Sequence, residues 1–569
     1  MPDNLTQEWC LQDSFNSAII LAAPLPRLAS HPSPGTARKH YETLVGNADE
    51  LAARTLEILG QVGLGSKLRR HGAPFVERSV WMREKPDPDF LKRLMTVPFD
   101  IAPARYELLT LHQGHVERVF KKDITKYRGD EIHCGSRLIA MEVDKKKDTE
   151  FPVLAKIESV GLVEEVRAKY LIAVDGAKST VGICTEVELE GDMTDELWGV
   201  IDLVVDSDFP GIRRQSSINS ITGQANDYSG GFNMTVVKEE VQNGIAGGSE
   251  EQQRQSTREQ RDRITEAHIL ERAAHLFRPS RFQVKRGTTV HWWAAFRTSQ
   301  EPYQVFHAVQ FDFPPNSVSH GRYPSFSLAT TRQGMNDSVQ KSYNLAWKLA
   351  YTIFGLAKNE TKLLDSYEAE RLPNPRDLID SDKRMNSGVP TEEKMAEMKQ
   401  FSTSCGAHYG RGLTPQDMHD ESRAEVKFSI LLLAADDFGA RDSTSTKIAE
   451  TLWSHILGKY PSGLLQPIIL LPSETHQFER SDVPSCVKEE AIMSLALASG
   501  DVYRMYGIPS QGVTGTKLVV VRPDETVGMI IDLKNVEFVQ TFLDRLCRRV
   551  IVKSAGLLGD FAPELQTVY

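Results

Sequence analysis

The chain has 569 residues, 40 % hydrophobic and 25 % charged, the balance of an ordinary globular protein large enough for several domains. A formal net charge of −10 argues against a nucleic-acid binder, which needs a basic face. No run of about 18 apolar residues occurs, so no membrane span is expected, and the six scattered cysteines form no CxxC pair, so neither a disulfide framework nor a metal site is expected.

The apolar stretch from Ser17 to Pro26 is short, and Asp3, Glu8 and Asp13 precede it where a signal peptide needs basic residues. A cytosolic location is therefore expected. Pro24, Pro26, Pro32 and Pro34 break up the first 45 residues and leave one strand-like segment, AIILAAPLPRL (18–28). Further on, Leu51, Thr55, Leu56, Ile58 and Leu59 recur on one helical face that Gly60 closes. A polar stretch rich in Lys, Arg and Pro then runs to about Pro103 and predicts no element.

His112 to Phe120 predicts the start of a helix. Residues 150–175 predict a hairpin, FPVLAKIESV and VEEVRAKYLIAVDG, whose second strand ends at Asp175-Gly176, a common place to hold a ligand. WGVIDLVV (198–205) reads as a strand. Ile264, Ile269, Ala273 and Leu276 form the thin stripe of a surface helix. Residues 308–333 lack periodicity, and Gly334 then opens the strongest helix, with Val339, Leu345, Ala346, Leu349, Ala350 and Ile353 at helical spacing. After a composition break at 388–420, FSILLLAADD predicts a buried strand, LVVVRPDETVGMIIDL two strands around Pro523-Asp524, and Val536 to Val550 a helix. This is the pattern of a separate α/β domain of about 150 residues.

Six segments carry a resemblance: GNADELAARTLEILGQVGL (46–64), LHQGHVERVF (111–120), YLIAVDGAKSTVG (170–182), EGDMTDELWGVIDLVVDSDFPGIRR (190–214), HWWAAFRTSQ (291–300) and RQGMNDSVQKSYNLAWKLA with LLDSYEAERLP (332–350, 363–373). In this order they resemble the FAD-dependent aromatic-ring hydroxylases of the phenol 2-monooxygenase type. VVVRPDETVGMI resembles a hairpin in that family's thioredoxin-like extension.

The resemblance implies an α/β fold. An incomplete Rossmann-like FAD-binding domain (1–190 and 306–400) carries an inserted β-rich substrate domain (191–305), and a C-terminal thioredoxin-like α/β domain (420–569) follows. It also implies FAD and NADPH as cofactors, and hydroxylation of a phenolic or polyketide-type aromatic by O₂ through a flavin hydroperoxide, as in secondary-metabolite pathways. A homodimer is left open. Water must be kept from such an intermediate, and the protein's part is position and electrostatics.

Residue by residue, Asp49 matches the acid near the substrate hydroxyl; the alternative reading is a helix-capping aspartate. Arg54 and Gln113 match flavin-facing positions, or are surface polar residues. Asp175 and Gly176 match the family's Asp-Gly motif. Gly334, Met335 and Asn336 match the helix start beneath the flavin pyrimidine, where free N–H groups and the positive helix end stabilise negative charge. Phe296 stands where the family has an active-site tyrosine, and His115 where it has an arginine.

The sequence also departs from the family. No GxGxxG precedes Asp49, and GQVGLG (60–65) follows a helix and reads as its C-cap. The Gly-Asp motif expected before the Gln-Gly-Met-Asn run is missing, with Asp312 the nearest acid. Two functions are therefore weighed: an active monooxygenase, and a flavin-free, catalytically inert scaffold of the same fold. A redox-active thioredoxin domain lacks its cysteine pair.

Overall fold

The computed structural model describes residues 9–12, 35–37, 48–75, 77–83, 91–98, 107–128, 133–144, 151–168, 170–174, 180–184, 193–212, 215–219, 228–231, 234–239, 263–299, 307–311, 318–320, 334–353, 355–371, 427–434, 438, 443–461, 464–471, 492–495, 517–524, 526–532, 535–547 and 549. The chain divides into two compact units. One comprises 1–350, 364–409 and 419–425; the other comprises 351–363, 410–418 and 426–569.

In the first unit a six-stranded sheet runs, edge to edge, through β21 (Val318–His320), β20 (His307–Phe311), β12 (Leu171–Val174), β1 (Trp9–Gln12), β2 (Gly35–Ala37) and β8 (His133–Cys134). β1 lies parallel to both β2 and β12, with Trp9 opposite Leu171 and Cys10 opposite Gly35. The prolines therefore do not abolish regular structure in the first 45 residues. The strand-like segment 18–28 lies outside the described residues, and β1 is upstream of it.

The segment read as one strand, 163–174, is two. β9 (Ser136–Val143), β10 (Val153–Ser159) and β11 (Leu162–Ala168) form an antiparallel meander, and the chain then crosses to the six-stranded sheet as β12. The first half is polar-rich and the second an unbroken apolar run, yet both suit a strand, so only hydrogen-bond partners show that they belong to different sheets. Leu138, Met141, Val153, Ala155, Ile157 and Leu171 fill the core here, and α4 (Thr180–Cys184) contributes Val181.

The β10–β11 turn is the two-residue Val160-Gly161, with φ of 51° and 79°. A two-residue hairpin wants positive φ at both positions, which a β-branched residue resists. Val160 is 89 % exposed, so its side chain contributes little packing. Val160→Asn is expected to stabilise the first unit by about 1 kcal/mol, read as a raised denaturation midpoint. An unchanged or lowered midpoint would show that the turn carries no strain.

A seven-stranded sheet holds β19 (Val290–Ser299), β13 (Met193–Leu203), β17 (Met234–Glu239), β16 (Tyr228–Gly231), β15 (Gln215–Asn219), β5 (Glu77–Arg83) and β6 (Leu91–Pro98). The last two come from the stretch read as merely polar. β5 joins by parallel pairing to β15, with Trp81 opposite Ile218, so residues 77–98 belong to the sheet built mainly from 193–299. α5 (Glu266–Leu276) starts at Thr265, whose hydroxyl accepts from the His268 N–H at 3.3 Å. It packs over Gly199, where a Cβ would stand 2.9 Å from Ile269. Ile269, Ala273 and Leu276 bury the predicted stripe against Ile201 and Phe282. β14 (Val205–Ser207) pairs with β18 (Phe282–Val284).

A third small sheet has the order β3 (Glu50–Leu51), β7 (Leu108–Thr110), β4 (Ala73–Phe75). Around it stand α1 (Ala53–Gln61), α2 (Gly65–His71), α3 (Gln113–Arg128) and α6 (Gly334–Ile353). The periodic residues of these helices make one core: Leu51, Leu56, Leu59, Leu68, Leu109, Val116, Phe120, Met335 and Val339. α7 (Glu360–Arg371) brings Glu370 to Lys348 of α6.

The second unit contains β24 (Ile492–Leu495), β23 (Leu465–Leu471), β22 (Phe428–Leu433), β25 (Lys517–Val521) and β26 (Val527–Asp532), in that order. β22 to β24 are parallel; β25 and β26 are antiparallel. With α8 (Thr444–Thr451) between β22 and β23, and α9 (Glu537–Leu546) after β26, this is the thioredoxin-like arrangement expected. β22 is buried apart from the half-buried Ser429, as its apolar residues Phe428 and Ile430 to Leu433 predict.

In this unit Tyr460 donates from its hydroxyl to Asp544 at 3.0 Å, and Arg549 also pairs with Asp544. Cys547 is buried, and burial pushes its thiol up to about 12. At pH 8 only about one molecule in 10⁴ then carries the reactive thiolate. Iodoacetamide is expected to label exposed Cys184 in the native protein and to reach Cys547 only after denaturant is added. Equal native labelling, read by peptide mass spectrometry, would contradict this burial.

Candidate functional site

The residues singled out near 49, 113 and 336 converge. Asp49 precedes β3, half-buried, in an extended run that leads into α1. The cap position of α1 is Ala52, with no side-chain cap, so Asp49 lies three residues upstream of the capping position. On one side β3 pairs with β7, with Glu50 opposite Thr110 and Leu51 opposite Leu109. The carbonyl of Asp49 accepts from the Leu111 N–H at 2.8 Å, and that of Ala48 from the Gln113 N–H at 2.9 Å.

Two carboxamides complete the frame. Gln113, buried, accepts from the Ala48 N–H at 3.3 Å through Oε1 and donates from Nε2 to the Glu117 carboxylate at 2.7 Å. Asn336, fully buried in the first turn of α6, accepts from the Ala52 N–H at 2.8 Å and donates to the Glu50 carbonyl at 3.1 Å. Met335 turns its side chain into the core beside Leu51 and Val339, which leaves its backbone for any ligand. Gly334 is the first residue of α6, and the opening N–H groups of a 20-residue helix have no partner within it. Arg54 lies on α1 and pairs with Glu57 at 3.3 Å.

Asp175 and Gly176 follow directly on β12 and lie outside the described residues. Phe296 sits in β19, paired in register with Trp198 of β13.

His112 was named in the sequence only to dismiss a metal pair with His115, yet it stands inside this frame. Its Nδ1 accepts from the Gly114 N–H at 3.1 Å, which leaves the proton of the neutral ring on Nε2. That nitrogen is buried and has no hydrogen-bond partner among the described residues. Thr55 Oγ1 in α1 is buried and without a hydrogen bond in the same way. No periodicity flags such atoms; they emerge only when burial is known. Nearby, His115 stacks on His71 at 6.3 Å between ring centroids. Burial, then Arg118, His112 and His71, hold its imidazole below the usual histidine value.

These residues suit one end of an FAD well. A helix N-terminus favours the negative charge of a reduced ring, and the His112 Nε2–H offers a donor that has no acceptor among the described residues. The other end is different. β1 and β2 keep the parallel strand–crossover–strand path of a dinucleotide fold, but the connecting residues, 13–34, contain no glycine to let the backbone close on a pyrophosphate.

Parallel strands beside an antiparallel insert, with a long helix starting at the acid-bearing strand, make up the two-part fold of a flavoprotein monooxygenase. The chain belongs to the FAD-binding-domain family of these enzymes: the family described as "FAD binding domain" matches residues 37–304 and 327–382, more than half the chain. "Phenol hydroxylase, C-terminal dimerisation domain" matches residues 413–550. The first match leaves out 1–36 and 305–326, where the two family motifs are missing from the sequence.

Among relatives, the chain is 26 % identical over 576 aligned residues to the flavin-dependent oxygenase ucdD of Aspergillus ustus, covering 90 % of this chain and 87 % of that one. It is 28 % identical to the phenol 2-monooxygenase fsqG of Aspergillus fumigatus, over 60 % of this chain and 53 % of that one. In structure it resembles aklavinone-11 hydroxylase, solved with FAD and aklavinone, at a TM-score of 0.57 and 16 % identity, covering 96 % and 99 % of the two chains. It is thus an FAD-dependent monooxygenase of the aromatic-ring-hydroxylase type.

Proposed function

We propose that the protein uses FAD and NADPH to hydroxylate a phenolic or polyketide-type aromatic compound with O₂, in a secondary-metabolite pathway. The observation that carries this reading is the pair of hydrogen bonds made by Asn336, which joins the start of the flavin-side helix to the segment directly after Asp49. When bound and reduced, the flavin supplies activated oxygen for transfer to the ring. Asp49 draws the proton from the substrate hydroxyl and makes the ring more electron-rich. The N–H groups at Gly334, Met335 and Asn336 face the flavin pyrimidine, where the helix end favours negative charge. Arg54, Gln113, Asp175 and Gly176 border the flavin, and Phe296 lines the substrate pocket.

The same proposal divides the chain into flavin-binding segments 1–190 and 306–400, a substrate domain 191–305 joined by strands β5 and β6, and a thioredoxin-like domain 420–569. The dimerisation-domain match supports a homodimer. The sparse cysteines support a cytosolic location, and among the described residues no helix is long and apolar enough to cross a membrane.

The glycine-free connection 13–34 favours a second reading, a flavin-free scaffold of this fold. Colour decides between them. Protein purified with a flavin absorbance band, or reconstituted by FAD, and oxidising NADPH faster when a phenolic compound is added, supports the enzyme. Colourless protein that FAD does not quench or reconstitute supports the scaffold.

A further inference from the structure

We propose that Asn336 and Gln113 are positioning residues whose carboxamides hold the backbone around Asp49 and do not bind the flavin. The proposal rests on the reading of Asp49 as the substrate-side acid, and it changes the part played by two residues assigned to the cofactor.

The geometry begins with an incomplete strand. β3 is two residues long and is the edge of its sheet, with β7 on one side only. In an extended chain the carbonyl of one residue and the N–H of the residue two further on point to the same edge. On the open edge of β3 these are the Glu50 carbonyl and the Ala52 N–H, both withdrawn from water in a buried segment. Left unmatched, each costs as much as a lost hydrogen bond. A carboxamide presents one acceptor and one donor in a plane, the same pair that a neighbouring strand would present. Asn336 fills that place, at 2.8 Å and 3.1 Å.

Gln113 does the corresponding work two residues before Glu50. Its backbone N–H and its side-chain oxygen take the carbonyl and the N–H of Ala48. Its remaining amide hydrogens are drawn to the Glu117 carboxylate, which sets the orientation of the carboxamide. Asp49 thus stands between two residues each held at a carbonyl, with its own carbonyl held by Leu111. The direction in which its side chain leaves the backbone is set by groups about 60 or more positions away in sequence. Because Asn336 belongs to the first turn of α6, the acid and the helix end move as one piece.

Three substitutions separate the possibilities. Asn336→Ala removes both bonds. Asn336→Asp keeps the acceptor for Ala52 but sets a carboxylate against the Glu50 carbonyl. Gln113→Glu keeps the acceptor for Ala48 and sets two carboxylates together, which a shared proton at low pH can reconcile. The primary readout is hydrogen–deuterium exchange of a peptide spanning 45–56 in the full-length protein without added ligand. FAD affinity by fluorescence, kcat and KM are measured beside it.

Expected for Asn336→Ala is exchange about 10- to 100-fold faster at Ala52, a lower kcat with KM little changed, and FAD affinity within about threefold of the parent. Asn336→Asp is expected to fall between, and it stands in if the alanine variant does not fold. Gln113→Glu is expected to lose protection at Ala48 at neutral pH and to recover it as the pH falls, a reversal that simple loss of packing does not produce. Unchanged exchange with an FAD affinity lowered tenfold or more would overturn the proposal and return both carboxamides to the cofactor. If the parent protein binds no flavin, the monooxygenase reading fails, and the exchange measurements still decide whether the clamp exists.

Discussion

Asp49→Asn is expected to lower kcat about 10²- to 10⁴-fold, the usual range for a lost general base. FAD affinity should stay close to the parent's. Asparagine has nearly the same shape, and the bonds from Leu111, Gln113 and Asn336 go to backbone atoms of residues 48 to 52. The variant therefore keeps its frame and loses the proton acceptor. A phenol ionises unaided at a pH of about 10, so the deficit should narrow as the pH rises and the substrate arrives as phenolate. Single-turnover rates with a phenolic substrate between pH 7 and 9.5 test both parts. A variant with the parent's rate at neutral pH would remove Asp49 from the chemistry.

The second large effect is on stability. Lys348 lies fully buried in α6, with Glu370 of α7 at 3.0 Å, and Asn344 donates to the same carboxylate oxygen at 3.0 Å. The Lys348 ammonium also stands 5.7 Å and 5.9 Å from the ring centroids of Trp347 and Tyr367. Removing one member of such a pair takes from the buried charge the carboxylate that faces it at 3.0 Å, a loss that costs about 3–5 kcal/mol. Glu370→Ala should lie near the lower end, since the glutamate side chain is 26 % exposed and water can partly replace it. The double variant Lys348→Met/Glu370→Leu removes both charges and keeps the volume, so it should lie much nearer the parent. Urea denaturation of the two variants beside the parent gives the comparison. A double variant as unstable as Glu370→Ala would mean that packing by the lysine stem, not its charge, holds α6 to α7.

Much of the molecule was legible from local pattern. α5 and α6 form where apolar spacing and Gly334 put them, because a helix makes its hydrogen bonds within about four residues; α1 also forms on its apolar face but runs through Gly60 to Gln61, and the left-handed turn comes at Gly63. The buried strand β22 and the hairpin of β25 and β26 followed from an apolar run and a Pro-Asp turn for the same reason. At the site, the segments around 49, 113 and 334–336 carried family motifs in order, and they do meet in space. The use of the side chains was not legible: Met335 enters the core, and the carboxamides of Gln113 and Asn336 are spent on backbone atoms. His112 Nε2 and Thr55 Oγ1 gave no signal at all.

The amino-acid order alone thus established which stretches become helices, where the second unit begins to repeat strand and helix, and which family the chain resembles. Other choices belonged to the folded state. Only there does β1 settle at 9–12 beside a strand 162 residues later, the run 163–174 divide between two sheets, and the polar stretch 77–98 find a place beside β15. Helical order is written in neighbours, whereas a strand of three or four residues has no period of its own and takes its meaning from whichever distant chain offers matching donors and acceptors.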